Sequence, residues 1–502
     1  MKKKLSLLIV LATLLTSFSS CSDSGNNDGE DTKNNETPST ETTPAGESES
    51  GETETEKLPL GLASDLDFDG YNMRVLTYTM KTGDSFISDL NGDLVNDALY
   101  NRDRAVEKLL DIKITPSAYE SEGPDYAKLE KMIKANEDMY DFLHLRASTY
   151  YANRPTYELN MLNLADDANL NLDAPWWNTE AINELSYNGK SKKYLIGDIS
   201  LTSISGASVI FYNKNLFNNI YHDANLPYTD VLEGKWTVDK FGEYCAGAYQ
   251  DTDGNGTKDI NDFWGTVINS WLLQSMYNGF SDTRFYTRDE DGLVQFDLDT
   301  DRVMTFAEKL YTIVRQNEGV YYYTNDNNWH NNAKSDFAND KMLFLAYFLS
   351  SVEDETFRSM ESDYGILPFF KLDESQKEYR SDLNPSGTNW VTVPTTCREV
   401  EKTTATIEAL SYYSYYDVTP IYYDQALKTK YTRDQQSGMV LDMVRDSIKT
   451  DYLIGIYRST IGQHFVINIR DNDQNYISGW EKQLKMYDKT MAKNYAALEK
   501  AE

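Results

Sequence analysis

The stretch YNMRVLTYT, residues 71–79, has the short, apolar, β-rich character of a buried strand. Downstream, Leu99, Val106, Leu109 and Leu110 mark one face of a helix beginning near Asn96. Residues 112–117 read as a second strand, 126–133 as a helix, and DFLHLR at 141–146 as a third strand. Strands alternating with helices at this spacing imply parallel pairing and an α/β domain. The pattern returns at 207–212, 263–268, 341–348 and 364–370, with helical stretches at 301–316, 402–415 and 432–448. No internal repeat of fixed period is present.

The amino end carries a different signal. Lys2, Lys3 and Lys4 precede an apolar run over 5–15, then small residues lead to Cys21. A basic start, a short apolar run and a small-residue exit make a secretory signal peptide over 1–21. The run is shorter than the ~20 residues needed to span a bilayer. Ser19 and Ser20 before Cys21 resemble a lipobox, which implies acylation of Cys21. Residues 22–57 are almost all Ser, Thr, Asp, Glu, Asn and Gly, a composition that cannot bury a core and reads as a disordered acidic tether.

The formal charge is −32; the leading lysines contribute +3 and residues 22–57 contribute −9, which leaves −26 on the body. Such a balance argues against a nucleic-acid partner. Besides Cys21 there are only Cys245 and Cys397, without CxxC spacing, so a disulfide and two separate buried thiols both stay open. The four histidines are scattered, and no HExxH, GxSxG, Walker or GxGxxG pattern occurs.

Two constellations remain. In DTDGNGTKDIND, residues 251–262, oxygen side chains fall at positions one, three, five, nine and twelve, with Gly256 at six. That spacing wraps a loop around a hard cation. Asp251, Asp253, Asn255, Asp259 and Asp262 are the candidate side-chain ligands for calcium, with Thr257 offering its carbonyl. Asp262 replaces the longer Glu usual at position twelve, and the alternative is a solvated acidic turn. The second constellation is aromatic, 37 Tyr and 8 Trp. Rings stack on sugar faces while polar side chains take the hydroxyls. Residues just past strand ends line the cleft of an open α/β sheet, which nominates Tyr78, Arg146 and Trp271. Trp236, with Thr237 as a helix cap, and Trp480 read as structural.

Six segments in order, LYNRDRAVEKLLDIKI (99–114), YNGKSKKYLIGDISL (187–201), GASVIFYNKNLF (206–217), GKWTVDKF (234–241), DTDGNGTKDINDFWG (251–265) and YGILPFF (364–370), resemble the extracellular solute-binding proteins of carbohydrate ABC importers. The nearest likeness is to the large family 1 type lipoproteins of clostridial gut bacteria. It implies a two-lobe, periplasmic-binding-protein-like type II α/β fold with discontinuous lobes, 65–208 with 365–420 and 209–364 with 421–502. Crossings are expected near 209–213, 364–368 and 420–427. It further implies that Trp176, Trp177, Asp198 and Tyr347 face the ligand, and that Trp390, before a strand returning to the first lobe, opposes Trp271. Related proteins carry a similar acidic loop. The function implied is capture of a sugar or oligosaccharide by a monomer, lipid-anchored outside the cytoplasmic membrane of a Gram-positive-type cell, for delivery to permease subunits. A surface-anchored glycoside hydrolase and a glycan-binding adhesin or sensor are the alternatives.

Overall fold

A computed structural model describes residues 57–78, 86, 89–119, 126–148, 155–273, 276, 285–324, 330–383, 387–428, 435–453 and 464–500. The signal segment, Cys21 and the tether up to residue 56 lie outside them. The first strand is β1 (Tyr71–Tyr78), followed by α1 (Leu94–Leu110) and β2 (Ile112–Tyr119). Asp93 starts α1 two residues earlier than the apolar face suggests, because its side chain accepts from Val95 N and Asn96 N at 3.1 and 3.0 Å. The helix buries Val95, Ala98, Leu99, Val106 and Leu110, and stops at Asp111 in the left-handed region. Next come α2 (Tyr126–Lys134) and β3 (Phe142–Arg146). Both β2 and β3 pair with β1 in parallel, as the alternation predicts.

Farther along lie α3 (Thr179–Glu184), β4 (Ser208–Asn213), β5 (Phe344–Phe348), β6 (Tyr364–Leu367) and β7 (Asn389–Thr392). β7 returns to the first sheet, antiparallel to β3, giving the order β7-β3-β1-β2. A second sheet has the order β6-β4-β5, and both of its pairings are antiparallel. The returning strand–helix alternation implies parallel pairing there too, and the structure corrects it: β4 lies between β5 and β6, distant in sequence, and both run against it. Trp236 and Trp480 are buried as expected: Trp236 donates its indole N–H to Pro368 O at 3.0 Å, and Thr237 caps the following helix. Cys245 and Cys397 are separate buried free thiols.

Two crossings fall elsewhere than expected. YGILPFF does not return to the first sheet; its strand pairs with β4, and Phe370 packs on Trp236 and Phe241. The chain crosses back only between Leu383, bridged to Ala207, and Asn389 in β7. Residues 365–383 therefore belong with the second sheet. The helix α4 (Val400–Tyr413) and the segment Ile421–Lys428 both pack on α1. In contrast, α5 (Gln435–Asp446) packs on β6. Residues 421–428 therefore go with the first sheet and 435–446 with the second, so the crossing expected near 420–427 does not fall there. The last helix, α6 (Tyr476–Glu499), touches both sides: Trp480 meets Phe296 and Phe465, and Tyr495 meets Tyr187.

At the first two crossings the chains meet closely, with the Thr388 hydroxyl the side-chain atom nearest Gly206. A Cβ on Gly206 would lie 2.4 Å from Gly387 O, 2.5 Å from Thr388 Oγ1 and 2.6 Å from Thr202 O. Only glycine fits at Gly206. Among the described residues no helix is long and apolar enough to cross a membrane.

Candidate functional site

Register fixes what stands at the carboxyl end of β1 and β3. Thr77 pairs with His144 and Asn389 with Arg146, so Tyr78, Arg146 and Asn389 share one sheet edge. The Arg146 guanidinium lies 4.5 Å over the Tyr78 ring and bonds its hydroxyl. Asn389 donates its amide to Tyr78 O at 3.0 Å. Arg146 Nε and Asn389 Oδ1 are buried and have no partner among the described residues. Buried polar atoms in native proteins are almost always satisfied, so such a pair points to a ligand or water.

The second wall comes from β5 and the residues after Thr266–Ile268. Trp271, partly exposed, packs on Tyr347 at 5.2 Å and on Phe348 at 5.4 Å. Lys334 Nζ stands 5.3 Å over the Tyr347 ring, and burial pushes the Tyr347 phenol up to about 12. The crossing joins the walls. Ser208 and Val209 pair with Phe348 and Tyr347, and a Cβ on Gly387, two residues before Asn389, would lie 3.6 Å from Phe348.

The other predicted residues gather separately. Leu195 bridges Val391 and Gly197 bridges Trp177, so Asp198 and Trp177 lie beyond β7, on the side away from β3. There Trp176, Trp177, Asp198 and Arg445 line a cavity of about 450 Å³. Trp176 and Trp177, 1% and 5% exposed, donate their indole N–H groups to the two carboxylate oxygens of Glu408 at 2.9 Å each. Burial raises Glu408 to about 7 against the pull of those donors. Asp198 is likewise raised to about 7 by burial, with Arg445 opposing.

Trp390 is not on a wall. It is 1% exposed with its ring 5.1 Å from Tyr194, because it is the second residue of β7 rather than the residue before it. Alternation turns Trp390 into the core and leaves Asn389 at the edge. Asn389, Phe348 and Arg445 escaped the sequence reading; a one-residue shift in the start of β7 would have exposed the first.

In the acidic loop, the carboxylate oxygens of Asp251, Asp253 and Asp262 lie within 4.8 Å of one another. Gly254 and Gly256, at φ +70° and +71°, supply left-handed turns. Asp251 accepts from Gly254 N and Gly256 N at 2.7 and 2.9 Å. Asn255 turns its amide toward Asp253 and Asp259, at 2.8 and 3.3 Å, and its oxygen takes Thr257 N at 2.6 Å. The carboxylates at positions one, three and twelve therefore converge, and Asn255 links Asp253, Asp259 and Thr257 N within the same loop.

No family model matches the sequence, and no curated protein matches it. Solved structures do. An ABC substrate-binding protein from Listeria monocytogenes, solved with cycloalternan, matches with TM-score 0.54 and 13% identity over 84% of this chain and 100% of that one. A family 1 extracellular solute-binding protein gives 0.52 at 12% identity, with 84% and 100% covered. The GacH receptor of Streptomyces glaucescens, solved unliganded and with acarbose, gives 0.50 at 12% identity, with 84% and 99% covered.

The chain has the two-lobe solute-binding-protein fold.

In that architecture each sheet belongs to one lobe, and Gly206 and Gly387 lie where the chain passes between the two sheets. Tyr78, Arg146 and Asn389 then stand at an edge of the first lobe's sheet, and Trp271 packs on Tyr347 and Phe348 of the second.

Proposed function

We propose that this protein is a lipid-anchored extracellular solute-binding protein that captures a sugar or oligosaccharide and passes it to an ABC permease. The observation that carries the reading is the pair of unpartnered buried atoms, Arg146 Nε and Asn389 Oδ1, at an edge of the first sheet, with Trp271 packed on Tyr347 and Phe348 of the second. A hydroxyl can satisfy both a donor and an acceptor, while the indole stacks on the C–H face of the ring. Two lobes joined by close glycine crossings suit a clamp that closes around its ligand. Solved proteins of this fold in complex with cycloalternan or acarbose lend support by analogy. Cys21, outside the described residues, supplies the anchor by its sequence context. The acidic loop is the calcium site in this reading: Asp251, Asp253 and Asp262 would hold the ion, a fixed staple of the second lobe.

The test is calorimetric titration against an oligosaccharide panel that includes cycloalternan, maltotetraose and β-1,6-galactobiose. Trp271→Ala should weaken the binding glycan by ~30- to 1,000-fold, as truncation of a buried aromatic anchor does. Its melting temperature should stay near that of the wild type. A panel without any binder, or a variant that binds as tightly as wild type, rejects the reading.

A further inference from the structure

The cavity around Asp198 and Arg445 is not part of the cleft. Along the sheet edge the order is Tyr78, Arg146, Asn389, Gly197, Trp177. The chain leaves for the other lobe at Thr388, immediately before Asn389 in that series. Tyr78 and Arg146 therefore lie on one side of the crossing, and the cavity on the other.

Both lobes build it. Trp177, Asn178, Thr179, Asp198, Ser203 and Ile204 come from segments tied to the first sheet. Arg445 ends α5, which packs on β6, and Ile448 pairs with Ser381 on the second-sheet side. Contacts between the lobes ring the cavity. Lys449 bonds Glu180 at 2.5 Å, next to the lining residues Ile448 and Thr179. Beyond it, Tyr286 bonds the Glu184 carboxylate and Arg288 donates to Glu184 O at 2.7 Å.

The lining has a definite chemistry. Asp198 and Arg445 offset each other in charge, which suits a neutral occupant better than an ion. Asn178, whose oxygen takes Ala181 N, keeps its amide N–H groups as donors, Thr179, whose hydroxyl donates to Leu172 O, keeps acceptor capacity, and Ser203 can do both. Ala174, Pro175, Ile204 and Ile448 supply apolar surface, and the indole N–H groups are held by Glu408, so the tryptophans can offer only ring carbon. The volume of about 450 Å³ falls within the ~300–1,000 Å³ of ligand pockets.

We propose that this cavity is a second ligand site, for a small neutral polyhydroxylated molecule such as a monosaccharide or alditol, and that its occupation opposes closure of the cleft. The opposition is geometric: closing the cleft widens this cavity, and a molecule held by both Asp198 and Arg445 would lose one of them. Only the coupling rests on the carbohydrate reading of the cleft; the site does not.

The experiment uses the mature chain with D-glucose, xylitol and glycerol as probes, read by thermal shift. At about ten times Kd, one site raises stability by ~1.4 kcal/mol and then flattens logarithmically. The expected result is a rise of this form with at least one probe. It should be lost in Arg445→Gln and in the near-isosteric Asp198→Asn, and kept in Trp271→Ala. Absence of any rise overturns the site. So does a linear rise shared by all variants, which is the signature of polyol exclusion from the protein surface. A rise lost in Trp271→Ala but kept in Asp198→Asn also overturns it, since the cleft is then being read. The coupling is tested by titrating the effective probe with the cleft saturated by a panel oligosaccharide. Reciprocity requires several-fold weakening, and unchanged affinity rejects coupling while leaving the site in place.

Discussion

Glu408 should make stability fall as pH rises through neutrality. Its side chain is fully buried on α4, and each carboxylate oxygen takes one indole N–H, from Trp176 and from Trp177. Loss of water raises its pKa from the ordinary 4.5 to about 7. The folded chain therefore holds this proton more tightly than the unfolded chain does. Its stabilising effect is complete below the unfolded value, about 4.5, and is lost as pH rises to about 7. A gap of ~2.5 pH units at 1.36 kcal/mol per unit corresponds to ~3 kcal/mol. Glu408→Gln cannot ionise, so it removes this slope. It also turns one acceptor into a donor facing an indole N–H, at a cost of about 1–3 kcal/mol at every pH. Wild type should thus be the more stable at about pH 5, and the difference should vanish or invert near pH 8. Asp198 titrates in the same direction but is present in both proteins and cancels. Urea unfolding followed by tryptophan fluorescence measures the difference. A gap between the two proteins that stays constant across this pH range refutes the argument.

The acidic loop and the anchor give two further predictions. Removing calcium with a chelator should lower the melting temperature, by an amount worth ~2.7 kcal/mol when the ion is at 100 times its Kd. Asp251→Asn with Asp253→Asn, both exposed positions, should abolish the response, and a chelator-insensitive wild type removes calcium from the account. Cys21→Ala should move the protein from the membrane fraction to the medium; unchanged fractionation excludes acylation at that residue.

The first lobe was legible because its parallel α/β unit is local. YNMRVLTYT, the helix after Asp93 and DFLHLR each declare their type over a few residues. The second sheet was legible as strands but not as a topology, since antiparallel order depends on partners more than 100 residues apart. The crossings were displaced for the same reason. YGILPFF reads as a lobe exit, yet Phe370 completes a core with Trp236 and Phe241 that no local window contains. Among the site residues, Tyr78, Arg146 and Trp271 follow from strand ends. Trp390 was misplaced by one residue, enough to exchange the core for the edge in a strand. Trp176, Trp177 and Asp198 do lie together, but which side of the hinge they occupy is a matter of bridges between distant segments.

Gly206 and Gly387 meet main chain to main chain with the Thr388 hydroxyl beside them, and this has a consequence for how the molecule can change shape. A joint packed with side chains has preferred rotamers, and turning it means crossing from one interlocked arrangement to another. At this joint the Thr388 hydroxyl is the nearest side-chain group, so few interlocked arrangements stand in the way of a change of angle. The resting angle must then be set by groups at a distance from the pivot, where a short rotation becomes a long displacement: Lys449 on Glu180, Arg288 on Glu184, Tyr495 on Tyr187. Those contacts act at the end of a lever, so tuning how readily the jaws meet does not require touching either the pivot or the jaws.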